Sequence, residues 1–111
     1  MISSRDKLSI RKRVLEVIYD NKDDVKGLYL FEPTGELFCE YRIADDESEK
    51  LEAIRVEAVT KTRVSVAITI RSTVYANIPE VYNLLQEEIR ESLEEIKYTL
   101  YDFKMKVIDL E

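Results

Sequence analysis

Apolar residues recur along this chain with two periods, and the switches between them outline its elements. Ile10, Val14, Val17 and Ile18, with Leu15 on the flank, keep helical spacing. The hydroxyl of Ser3 or Ser4 can accept from an orphan N–H of the first turn, so the pattern predicts a helix over about 5–20. Asn21 to Asp24 break it. The run VKGLYLFEPTGELFCEYRI then alternates and reads as a β-hairpin. Leu28 and Leu30 oppose Tyr29 and Phe31; after the turn, Leu37, Cys39, Tyr41 and Ile43 oppose Phe38, Glu40 and Arg42. The turn EPTG suits a type I geometry, with Pro33 presetting φ at its second position and Gly35 following.

ADDESEKLEA is polar and acidic, a loop or a short helix. IRVEAVT alternates Ile54, Val56 and Ala58 against Arg55 and Glu57, yet Leu51, Ile54 and Ala58 also fit a helical stripe. RVSVAITIRS is the clearest strand, with Val64, Val66, Ile68 and Ile70 on one side, and Lys61 and Thr62 form a tight connection before it. Asn77 is a good N-cap, Glu80 can complete a capping box, and Pro79 sits in the first turn where no N–H is needed. Ile78, Tyr82, Leu85, Ile89, Leu93 and Ile96 then make one helical stripe, widened by Val81 and Leu84. A last strand alternates Tyr101, Phe103, Met105 and Val107 against Asp102, Lys104 and Lys106. The expected fold is α+β in the order α-β-β-β-β-α-β: a small sheet of about five strands with two amphipathic helices on one face. The 111 residues make a single domain, 1–111.

Composition removes most chemistry. The chain has no histidine, hence no imidazole base, no Ser-His or Cys-His dyad and no histidine metal site. Its one cysteine, Cys39, forms no internal disulfide, which fits a reducing cytoplasm, and is expected in or near the core. Gly27 and Gly35 stand too far apart for a phosphate-cradling loop. Asp45, Asp46 and Glu47 are adjacent acids without calcium-loop spacing, and read as solvated. No enzyme, cofactor or metal site is expected. The N-terminal segment lacks the apolar stretch of a secretory signal, and no apolar run is long enough for a membrane span. A net charge of −6 argues against a nucleic-acid partner. With 36% charged residues and a single glutamine, Gln86, the profile leans towards a thermophilic source.

Charge then marks candidate surfaces. The last helix carries Glu80, Glu87, Glu88, Glu91, Glu94 and Glu95 against one arginine, Arg90. Like charges at Glu87/Glu91 and Glu91/Glu95 cost a few tenths of a kcal/mol each, and Arg90 with Glu94 and Glu94 with Lys97 are the usable opposite pairs. The first helix carries a basic cluster: Arg5, Lys7, Arg11, Lys12 and Arg13. The candidate interaction surface is therefore Gln86, Glu87, Arg90, Glu91 and Glu94 on one helix, with Arg5, Arg11, Lys12 and Arg13 on the other. A positive first helix and a negative last helix suit head-to-tail self-association. Tyr29, Tyr41 and Tyr101 are a second candidate contact face.

From Ile54 onward the residues resemble the alkaline shock protein family, with its related general-stress proteins. The matching positions are Tyr75, Asn77, Ile78, Pro79, Glu80, Val81, Gln86, Ile89, Arg90 and Glu94, then Phe103, Met105, Val107, Asp109 and Leu110 in the last strand. Ala76 stands where the family has a glycine, and KYTL replaces its Thr-Gly turn before the last strand. The resemblance implies a small, cytosolic, non-enzymatic protein that self-associates and serves cell-envelope homeostasis. It also implies a homo-oligomer that a membrane-anchored protein partner can recruit. A second resemblance competes: VKGLYLFEPTGELFCEY looks like the opening hairpin of roadblock-type domains, which implies a small regulatory scaffold. A helix over 47–60 favours the roadblock reading, and a strand there favours the first.

Overall fold

A computed structural model of the chain describes the backbone of residues 2–33 and 39–110, and side chains within 2–31 and 40–108. The elements are α1 (Ser4–Asp20), β1 (Val25–Pro33), β2 (Cys39–Ile43), α2 (Glu47–Ala53), β3 (Arg55–Ala58), β4 (Arg63–Ser72), α3 (Ile78–Glu95) and β5 (Thr99–Leu110). The α+β class and the five-stranded sheet are as expected, but the described residues form three helices, not two. Residues 47–60 divide between the two readings, helix first and strand after. Asp46 explains why: its carboxylate accepts from the Glu49 N–H at 2.8 Å, and the Glu49 carboxylate accepts from the Asp45 N–H at 3.2 Å. That cap starts a helix which ends where Ile54 turns extended. The EPTG turn and the Cys39 side chain lie outside the described residues.

β4 is the centre of a mixed sheet. β5 runs parallel to it over its whole length, a pairing that needs the crossover α3 supplies. The opposite edge of β4 is shared. β1 pairs antiparallel at Ile70–Ser72, and β3 pairs antiparallel at Val64–Ala67. β1 cannot continue along β4 because β3 takes that row, so its second half pairs with β2 instead. The sheet forks there.

Strict alternation decides the layers. Val64, Val66, Ile68, Ile70 and Ser72 are buried under the helices, while Ser65, Ala67, Thr69 and Arg71 face the other way, half-buried. α1 brings Ile10, Val14, Leu15, Val17 and Ile18 to that core, and α3 brings Val81, Leu85, Ile89 and Leu93. Each fully buried aliphatic side chain stabilises the fold by about 2 kcal/mol relative to exposure. Ser3 caps α1 and Asn77 caps α3, accepting from Asp6 N–H at 3.1 Å and Glu80 N–H at 3.2 Å.

The last strand departs from simple alternation. Val64 pairs with Leu100 but Ser65 pairs with Asp102, so Tyr101 is an extra, bulged residue. Leu100 takes the inner position, and Tyr101 is left 62% exposed rather than continuing the stripe of Phe103, Met105 and Val107.

Candidate interaction surface

The two charged helices lie side by side in one layer, and part of their charge is engaged within the chain. Arg13 Nη1 pairs with Glu95 Oε2 at 3.0 Å across the α1–α3 contact. Asn21 Nδ2 donates to Glu88 Oε2 at 2.7 Å at the far end of the same contact. Arg11 does not face solvent with the rest of its cluster: its Nε donates to the Ile54 carbonyl at 3.0 Å, where the chain passes from α2 to β3. Arg5 and Lys12 are exposed, and Lys7 is half-buried. The basic cluster is thus divided, because its residues point round more than one side of α1.

On α3, Arg90 pairs with Glu87 one turn back, not with Glu94. Lys97 lies beyond the helix with φ of 68°, so it cannot serve Glu94 as a helical neighbour. Gln86 is half-buried. Glu80, Glu87, Glu91 and Glu94 remain on one exposed outer stripe. Leu84 sits among them, three or four residues from Glu80, Glu87 and Glu88, and is 45% exposed. It adds nothing to the core it was expected to widen.

Among the described residues no element covers the sheet face opposite the helices, and, Tyr29 and Tyr41 apart, its features were not singled out by the pattern of the sequence. The fork between β1 and β3 opens as a cleft of about 610 Å³. Phe31 and Tyr41 stand on one wall as an edge-to-face pair with centroids 5.6 Å apart. Lys106 lies over the Tyr41 ring at 5.0 Å and reaches its hydroxyl at 3.2 Å. Arg55 and Lys104 flank Ala67 in one cross-strand row on the opposite wall. Each leans weakly on an acid of the next row, Glu57 and Asp102, at 3.8 Å. Three bases and one acid, Glu52, line the cleft, so this face is locally basic in a chain of net charge −6. Tyr29 is buried beside it, its hydroxyl accepting from Arg71 Nε at 3.0 Å. Of the three tyrosines expected on a contact face, Tyr29 and Tyr41 share this side, and only Tyr41 is exposed among those two. The alternation of Arg55, Lys104 and Lys106 with inner apolar residues was the available signal, but only the pairing of β3, β4 and β5 places them together.

Two titrations are displaced. The Arg42 guanidinium bonds the Glu49 carboxylate and, with the Asp45 N–H, holds it below the ordinary glutamate value of 4.5. Burial, and then the neighbouring Asp6, push the Tyr98 phenol up. Neither group lines the cleft. Among the described residues no three acids or cysteines converge as metal ligands, and no helix is long and apolar enough to cross a membrane. The Asp46 carboxylate of the acidic 45–47 run is engaged as the α2 cap.

Compared with known proteins, the chain matches no family model, no curated protein and no solved structure.

Proposed function

We propose that this chain is a non-catalytic, self-associating domain that acts through protein contacts. One observation carries the reading: among the described residues the helices cover only one face of the sheet, and the other face exposes Phe31 and Tyr41 around an open fork. A sheet face with exposed aromatic anchors and a charged rim is suited to a macromolecular partner. On the resemblance to alkaline shock proteins, the role is cell-envelope homeostasis from the cytoplasm, with a membrane-anchored protein as the recruiting partner. The N-I-P-E-V helix start at Asn77–Val81 and the β5 pattern support that role. The alternative is a roadblock-like regulatory scaffold. The helical residues 47–53 favour it, and the placement of β5 after α3 opposes it.

Sedimentation equilibrium at rising protein concentration tests the shared core of both readings. A mass that grows with concentration is expected. A monomer at every concentration rejects self-association, and no retained protein in a pull-down from native membrane and soluble fractions in addition rejects the reading whole.

A further inference from the structure

The described chain is a slab of 36 × 35 × 22 Å, so its broad faces are distinct: helices on one, bare sheet on the other. The α3 stripe on the first and the fork on the second are of opposite charge, while α1 adds the exposed Arg5 and Lys12 to the helix face. The helix face presents Glu80, Glu87, Glu91 and Glu94 with Leu84 exposed among them. The sheet face presents Arg55, Lys104 and Lys106 around an aromatic cleft. We propose that the acidic stripe of α3 in one copy docks on the basic fork of the sheet in a second copy, with Leu84 entering beside Phe31 and Tyr41. This rests on the self-association reading and assigns its two surfaces. It is an alternative to pairing the basic α1 of one copy with the acidic α3 of another, part of whose charge is already engaged inside one chain through Arg13 and Glu95.

The match is chemical as well as electrostatic. An acid–leucine–acid stripe meets a base–aromatic–base cleft, so the apolar centre is dry and the charged rim pairs. From Glu80 to Glu94 the stripe runs about 21 Å at 1.5 Å per residue, well inside the 36 Å breadth of the slab. A free polyanion is the competing occupant. The net charge of −6 disfavours a polyanion, and the second copy brings an acidic stripe with an apolar centre that fits the fork. The contact uses two different patches, hence it is head-to-tail and propagates unless rotation closes a ring.

Charge swapping tests this on the full chain. Two variants, Glu87→Lys/Glu91→Lys and Lys104→Glu/Lys106→Glu, change exposed residues only, and circular dichroism checks that both fold. Each is expected to weaken self-association by about tenfold or more. Mixing the two variants is expected to restore it, because each then meets an opposite surface. If the wild type associates and neither variant weakens it, the surfaces are wrong while self-association stands. A wild type that is monomeric throughout overturns both. A monomeric wild type that binds a labelled oligonucleotide, lost in Lys104→Glu/Lys106→Glu, assigns the fork to a polyanion instead and also overturns the proposal.

Discussion

Lys97 occupies the position after a helix where glycine is usual, and replacing it should stabilise the protein. α3 ends in a Schellman turn: the Tyr98 N–H donates to the Leu93 carbonyl at 2.9 Å, and the Lys97 N–H to the Glu94 carbonyl at 3.0 Å. That closure requires a left-handed residue at 97, and Lys97 adopts φ of 68°, the one positive-φ non-glycine residue among those described. An L-residue with a Cβ is disfavoured there by about 1–2 kcal/mol. Glycine removes that cost but loses about 0.4–1 kcal/mol through its greater freedom in the unfolded chain. The net gain expected for Lys97→Gly is about 0.5–1 kcal/mol. At roughly 2.1 cal/mol/K of unfolding entropy per residue, 1 kcal/mol moves Tm by about 4 °C in a chain this long. Lys97 also places a positive charge near the helix C-terminus, worth a few tenths of a kcal/mol. Lys97→Ala isolates that term, because it removes the charge and keeps the Cβ. Thermal and urea unfolding of the three proteins should therefore rank Gly above Lys, and Lys at or slightly above Ala. If Lys97→Gly is no more stable than Lys97→Ala, the left-handed strain is not there and the reasoning fails.

Three further outcomes follow from specific contacts. A Cβ on Gly27 would stand 2.6 Å from Ile43 Cδ1, the far end of a half-buried side chain that can turn aside, so Gly27→Ala should change stability by less than about 1 kcal/mol; a loss of about 2 kcal/mol or more in urea titrations would refute that freedom. The Tyr82 hydroxyl donates to the Phe103 carbonyl at 2.8 Å while the two rings stack at 5.4 Å. Tyr82→Phe should then lower the unfolding free energy by about 1 kcal/mol, read as a lower urea midpoint at constant m, and an unchanged midpoint would count against the bond. For Glu49 the folded pKa lies below its unfolded value, so its stabilisation is complete above pH 4.5 and fades as pH falls through the lowered folded value. NMR titration of the Glu49 carboxyl should give a midpoint under 4.5 that rises in Arg42→Met, and equal midpoints would exclude the pairing.

Local signals account for most of the fold that was legible. The start of α1 at Ser3, the start of α3 at Asn77 and the alternation of β4 all depend on residues within a few positions of one another. The open choice between helix and strand over 47–60 had a local remedy as well. Asp46 followed by Glu49 is a cap signature, and it marks a helix start inside a segment that otherwise reads equally as strand. Tyr101 had no such remedy, because a bulge is a mismatch between two strands and neither strand encodes it alone.

The candidate surfaces divide along the same line. The sequence by itself determined the acidic outer stripe of α3, because helical period and cap together place Glu80, Glu87, Glu91 and Glu94 opposite the buried Leu85 and Ile89. Which bases stay available was decided by tertiary packing: Arg11 is drawn to the Ile54 carbonyl and Arg13 to Glu95. Tertiary structure alone also decided that β3 displaces β1 from the edge of β4, opening the fork that gathers Phe31, Tyr41, Arg55, Lys104 and Lys106. Those residues come from four strands and up to 75 positions apart, and strand pairing over that distance is set by the competition of whole strands for one edge.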